Sequence, residues 1–200
     1  MRTRDMTYIA LMAVVISVCS WLSIPMTISF TMQTFAVFTA LLLLGGKRGF
    51  AAIVMYVFMG MVGLPVFTGF KSGIAAITGP TGGYIVGFIL CGAFYWLLEG
   101  KVKGWLLLAL GNVICYVFGT VWFVYVYTSS GKATTFGAAL LMCVVPYIVP
   151  DAVKLGLALL VSMRLKPHLK LIGNSIEARL DRVVLLLFVI QMKLSQLPCK

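Results

Sequence analysis

From Gly104 to Tyr127 the chain runs for 24 residues without one Asp, Glu, Lys or Arg. A helix needs about 20 apolar residues to cross the hydrocarbon core of a bilayer. Such a run leaves few folds open. Backbone in lipid must satisfy its own hydrogen bonds, so only helices and closed barrels span a membrane. Strand-like alternation is absent, which argues against a barrel. Composition agrees: 62% of residues are hydrophobic and 10% charged, with mean hydropathy +1.07, against about 25% charged in a soluble domain. An all-α membrane protein is expected. The apolar stretches predict six spans, at about Met6–Ile24, Phe30–Leu44, Gly49–Leu64, Gly83–Leu98, Gly104–Tyr127 and Phe136–Met163. The second and third are short, and Pro146 and Pro150 interrupt the sixth.

A net charge of +11 suggests nucleic acid until the positions are read. Arg2 and Arg4 precede the first span, Lys47 and Arg48 join the second to the third, Lys101 and Lys103 join the fourth to the fifth, and Arg164, Lys166 and Lys170 follow the sixth. Those nine fall on one side of the expected bundle, against Lys71 and Lys132 on the other. Basic residues stay cytoplasmic, so both termini are expected inside, in a multi-pass protein of the cell membrane. The basicity is then a topology signal, and no nucleic-acid partner is expected. Cys19, Cys91, Cys115, Cys143 and Cys199 form no CxxC pair, and four of them lie in expected spans. They read as small apolar packing residues. His168 is the single histidine, and a metal site needs several ligands, so neither a metal nor a cofactor is expected. Met1–Pro25 has the charged start and apolar run of a signal peptide but no small-residue cleavage site, and is read as the first span. The expected domain covers 1–170. Beyond it, 171–200 is an extension with charges at Glu177, Arg179, Asp181 and Arg182 before an apolar run too short to span. No function is assigned to it.

Within this apolar sequence one acid and one base stand out. Asp151 and Lys154 lie three residues apart with apolar residues on both sides. Charges at membrane depth cost at least about 2.5–3.5 kcal/mol each, and they usually mark a pathway or a ligand site. The i,i+3 spacing puts both on one helix face. If the inner part of the sixth span begins near Pro150, Asp151 sits in its first turn, where the positive dipole end favours a carboxylate. Gln33, near the outer end of the second span, is expected at a similar depth. The connection from Gly63 to Tyr84 is too apolar for an idle loop, with Phe67, Phe70, Ile74 and Ile77, yet it is rich in glycine. It reads either as a lid over a pocket or as a loop packed back on the bundle. Its Gly-Pro-Thr-Gly-Gly lacks the Gly-Lys-Ser/Thr ending of a P-loop, and no nucleophile elbow or HExxH occurs. Binding or transport is therefore favoured over catalysis. The blander reading of Asp151 and Lys154, a pair that only pins two helices, is weakened because buried pairs are poor stabilisers.

Several segments together resemble one family: Thr3-Arg4-Asp5-Met6-Thr7-Tyr8-Ile9-Ala10, Phe30-Thr31-Met32-Gln33-Thr34-Phe35, Leu44-Gly45-Gly46-Lys47-Arg48-Gly49, Gly63-Leu64-Pro65-Val66-Phe67, Gly79-Pro80-Thr81-Gly82-Gly83-Tyr84, and Pro146 followed by Asp151 and Lys154. The set is similar to BioY, the biotin-binding S-component of energy-coupling factor (ECF) transporters, over about residues 1–170. The resemblance implies a six-helix bundle, capture of biotin from outside, and a prokaryotic source. It implies partnership with a transmembrane coupling subunit and two cytoplasmic ATPases that would use the ATP. It makes Asp151, Lys154, Gln33, Tyr84, Phe67, Ser72, Lys71 and Gly82 candidate substrate-binding residues. Asp151 could accept ureido N–H bonds, Lys154 could donate to the ureido oxygen or hold Asp151 ionised, and Phe67 and Tyr84 could cover the ring. It also implies a small-residue docking face on the first span, for which Ala10, Ala13 and Ser17 are the candidates. The chain departs from the family pattern at Gly69-Phe70-Lys71-Ser72-Gly73 and at Pro150. The remaining alternatives are an S-component for another vitamin and an ion-coupled secondary transporter using Asp151.

Overall fold

The computed structural model describes residues 3–24, 29–131 and 135–168. Lys132, Lys170, Cys199 and the 171–200 extension lie outside the described residues. The chain divides into Met1–Ser162 and Met163–Lys200. In the second unit, residues 163–168 are helical and exposed. Everything below concerns the first.

The described chain is mostly helix. In order come α1 (Thr3–Trp21), β1 (Ser23–Ile24), β2 (Phe30–Thr31), α2 (Gln33–Leu44), α3 (Gly46–Met61), a 3-10 turn at Thr68–Phe70, α4 (Ile74–Thr78), α5 (Gly82–Leu98), α6 (Gly104–Ser129) and α7 (Phe136–Cys143). Residues 145–168 form α8. β1 and β2 make a two-stranded antiparallel ladder, Ser23 opposite Thr31 and Ile24 opposite Phe30. α2 therefore begins at Gln33 rather than at Phe30. By length and composition, Thr3–Trp21, Gly104–Ser129 and Phe136–His168 are long and apolar enough to cross a membrane, and Gln33–Leu44 and Gly82–Leu98 are shorter apolar helices. Large apolar side chains such as Leu97, Val113, Val121 and Val149 face outward. An outer surface that apolar suits hydrocarbon, not water.

The expected break in the last span is real, but it sits elsewhere. α7 stops at Cys143, and Val144 leaves helical geometry with φ −121° and ψ −54°. Helix resumes at residue 145 and runs through Pro150. Pro146 falls in the first turn, where its missing N–H would have had no helical partner anyway. Asp151 is then beyond the first turn, and the dipole argument for its carboxylate does not hold.

Close packing in this bundle depends on small residues. At the α2–α3 corner Gly45 takes φ +79°, a left-handed conformation that favours glycine. Its neighbour Gly46 donates its N–H to Glu99 Oε2 at 2.8 Å, and a Cβ there would collide with the Trp96 backbone. α5 and α6 interlock antiparallel. A Cβ on Gly87 would meet Cys115, one on Gly111 would meet Cys91, and one on Gly119 would meet the Tyr84 ring. The cysteines of this pair are thus the packing residues that their spacing suggested. Lipid gives no hydrophobic drive between helices, so such contact carries the association.

α1 corrects one expectation. Its inward face carries Ile9, Ala13, Ile16, Ser17 and Ser20, and Ala13 is fully buried. Ser17 Oγ donates back to Ala13 O at 2.9 Å inside the bundle. Ala13 and Ser17 therefore cannot form a docking face. Ala10 is exposed, on the face it shares with Val14 and Val18.

Candidate functional site

The connection after α3 is folded back and held at both ends. Ser20 Oγ donates to Val66 O, Trp21 Nε1 donates to Pro65 O at 2.9 Å, and Gly73 N–H donates to Gly60 O at 2.7 Å. At the far end Trp122 Nε1 donates to Gly79 O at 3.0 Å. Phe67 is pressed onto Gly60, where any Cβ would overlap its ring, and meets Tyr56 edge-on with centroids 5.5 Å apart. Both earlier readings of this loop hold together: it packs back on the bundle, and in doing so it forms a wall.

Behind that wall lies a concave cavity that opens to the surface. Apolar and aromatic groups line most of it: Phe67, Tyr84, Ile85, Phe88 and Tyr147. Its polar end is built from three parts of the chain. Thr31 and Thr34 come from β2 and the start of α2, Tyr116 from α6, and Asp151 and Lys154 from α8.

Asp151 and Lys154 do share one face, with Lys154 Nζ 2.8 Å from Asp151 Oδ1 and both side chains 5% exposed. Each charge has further partners. Thr34 Oγ1 donates to Asp151 Oδ1 at 3.1 Å, and the Tyr116 hydroxyl donates to Asp151 Oδ2. Lys154 Nζ donates to Thr31 O at 2.7 Å and to Thr34 Oγ1 at 3.1 Å. It also lies 4.0 Å from the centroid of the Phe30 ring, a cation–π geometry. An ammonium has three N–H donors. Thr31, Thr34 and Asp151 take all three, so Lys154 keeps no donor for a ureido oxygen unless it gives one up.

Of the eight candidate binding residues, Asp151, Lys154, Gln33, Tyr84, Phe67 and Lys71 line this cavity. Gln33 Nε2 donates to the Tyr56 hydroxyl at 3.0 Å, leaving its second N–H and its carbonyl oxygen for other partners. Tyr84 and Thr120 share a hydroxyl contact of 3.4 Å. Ser72 and Gly82 are not on the lining. Gly82 is buried at the start of α5, where a Cβ would run into the Ile77 carbonyl, so it makes room for the α4–α5 turn instead. Thr34, Asn112, Tyr116 and Tyr147 line the cavity without having been candidates. Asn112 and Tyr116 did leave a signal: an amide and a phenol spaced i,i+4 in an uncharged apolar run. Thr31 left none, because it contributes a backbone carbonyl. Among the described residues no group of His, Cys, Asp and Glu is placed to hold a metal ion.

Comparison with known proteins gives consistent matches. The BioY family model matches residues 1–171. The chain is similar to a probable biotin transporter BioY of Pyrococcus horikoshii, 36% identical over 167 residues that make up 83% of this chain and 98% of that one. It is likewise 36% identical over 168 residues to the biotin transporter BioY of Thermotoga maritima, covering 82% of this chain and 96% of that one. Among solved structures it shares its fold with the S-component for biotin from an ECF-type ABC transporter, with TM-score 0.71 at 23% identity over 84% of this chain and 95% of that chain.

Proposed function

The chain belongs to the BioY family, and from that membership we propose that it captures biotin and serves as the substrate-binding S-component of an ATP-driven ECF transporter. One observation carries the reading at the site. A buried carboxylate, held by Thr34, Tyr116 and Lys154, closes the end of an aromatic-walled cavity. Biotin offers a matching edge: a cyclic urea with two N–H donors and one carbonyl, fused to an apolar thioether ring with a carboxylate tail. A fixed carboxylate can accept a ureido N–H in a charge-assisted bond. Phe67 and Tyr84 flank the space for the ring, and Gln33 can both donate and accept. Lys71, exposed at the loop, suits the anionic tail. In this role Lys154 orients the carboxylate rather than touching the ligand.

The same reading takes the protein to be a six-helix bundle in a prokaryotic cell membrane, with both termini cytoplasmic. The basic residues at Lys47, Arg48, Lys101 and Lys103 support that orientation through the positive-inside rule. A coupling subunit and two ATPases would supply the ATP-driven step. The chain is a transport protein, as its relatives are, and not an enzyme. The decisive experiment is a calorimetric titration of the purified chain in detergent with biotin, riboflavin and thiamine. Saturable binding of biotin alone is expected. No heat with biotin, or equal binding of another vitamin, would overturn the assignment.

A further inference from the structure

The loop that walls the cavity contains one strained residue. Among the described residues Phe70 is the one non-glycine with positive φ, at +57°, and it follows Gly69 at φ 69° and ψ 30°. Glycine takes such angles freely. A bulky L-residue there brings its Cβ against the following carbonyl oxygen and is a genuine outlier. Strain of this kind persists only where the surroundings over-determine it, and it clusters at ligand clamps. The Phe70 ring stacks on the Trp21 indole, with centroids 5.0 Å apart and an interplanar angle of 29°. Trp21 is itself fixed to the loop through its Nε1 bond to Pro65 O. Across the turn, Phe67 N–H donates to Lys71 O at 3.1 Å. Phe67 points into the core and is 2% exposed, whereas Phe70 is 63% exposed. The two rings thus brace the turn from opposite sides, Phe67 against Gly60 and Tyr56 of α3 and Phe70 against Trp21 of α1.

Thr68 and Lys71, on this turn, line the cavity. Lys71 directly follows the strained residue, so the backbone of Phe70 sets the direction in which the lysine leaves the loop. Among the described residues no acid pairs with Lys71. A lysine stem is long and flexible, and on a turn of free backbone its charge would be spread over many positions. We propose that Phe70 and Trp21 are positioning residues: their stack holds the turn in its left-handed conformation and thereby keeps the Lys71 ammonium at the opening of the cavity, where it meets the carboxylate of an anionic ligand. The inference rests on the biotin reading above, in which Lys71 serves the tail, and adds what holds that lysine in place.

The test is a ligand–mutant cycle on the full chain in detergent, with titrations of biotin and of biotinol, which carries a neutral alcohol in place of the carboxylate. Wild type should prefer biotin by about fivefold at low salt, the scale of a part-exposed ion pair, and the preference should shrink as salt rises. Lys71→Met should abolish it. Phe70→Leu stays apolar but has no ring, and should remove most of the preference while leaving biotinol affinity unchanged. Phe70→Tyr restores the ring and should restore the preference. Trp21→Leu removes the other half of the stack and should also lose it. In a Lys71→Met background, Phe70→Leu should cost biotin nothing further. Phe70→Ala carries the same expectation should the leucine variant fail to fold, and thermal melting reports folding in each case. A wild-type preference in a folded Phe70 or Trp21 variant without the stack would overturn the proposal, even if both affinities fell together, since that marks a turn that only builds the wall. Equal binding of the two ligands by wild type would overturn it as well, by removing Lys71 from the tail. Absence of biotin binding by wild type would instead overturn the underlying assignment, so the failures are distinguishable.

Discussion

Lys154 has three donors, and the protein uses all of them: Thr31 O ties down β2, Thr34 Oγ1 ties down α2, and Asp151 is held in place. Removing this residue therefore differs from removing Asp151. Lys154→Met leaves a buried carboxylate without its counter-charge, and breaking such a pair costs roughly 3–5 kcal/mol. We expect a large drop in melting temperature, partly restored in the double variant Asp151→Asn with Lys154→Met, which buries no net charge. A double variant no more stable than Lys154→Met would show that the ion pair is not the source of the loss. Asp151→Ala should weaken biotin binding roughly ten- to hundredfold, the worth of a charge-assisted bond of about 1.5–3 kcal/mol. Asp151→Asn keeps an acceptor oxygen and should lose less. Unchanged affinity in folded Asp151→Ala would remove this residue from the site.

At the scale of elements, the α5–α6 contact sets where Tyr84 and Tyr116 stand across the cavity. Its two glycine–cysteine contacts look alike in sequence but differ in what a Cβ would strike. On Gly111 it would lie 2.6 Å from Cys91 Sγ, with the next Cys91 atoms at an ordinary 3.5 and 3.6 Å. On Gly87 it would meet Cys115 Sγ at 2.7 Å, but also the Cys115 backbone at 3.1 and 3.3 Å. A side chain can be trimmed, whereas backbone cannot. Gly111→Ala alone should destabilise by about 1–3 kcal/mol through overpacking. Adding Cys91→Ala should recover most of that. Gly87→Ala should be recovered much less by Cys115→Ala. Thermal melts of the four variants in one detergent decide it, and equal rescue at both positions would refute the helix spacing inferred here.

For the molecule as a whole, the proposed role as an S-component requires a surface that would meet a coupling subunit. Ala13 and Ser17 point into the bundle, so Ala13→Trp should collapse the fold and with it biotin binding. Ala10 lies on the outward face of α1 beside Val14. If docking uses α1, Ala10→Trp should leave the melting temperature and biotin affinity of the isolated chain unchanged while abolishing co-purification with the coupling subunit. Assembly retained in Ala10→Trp would exclude this face.

The apolar helices and the Asp151–Lys154 pair were legible in the sequence, because each depends on neighbours within about one helical turn or on run length alone. The partners of that pair were not. Thr34 and Tyr116 lie 117 and 35 residues from Asp151, and only packing brings them together. Nor was the inward face of α1 legible, and here the reason is the solvent. In water a helix shows its buried side by hydrophobic contrast, but in lipid the outer face is as apolar as the inner one. Ala10 and Ala13 then look equivalent in the sequence. The sequence by itself determined that this chain is a helical membrane protein with one buried acid–base pair. The tertiary structure alone decided which small residues face inward, where the last span breaks, and which threonine and phenol hold the buried carboxylate.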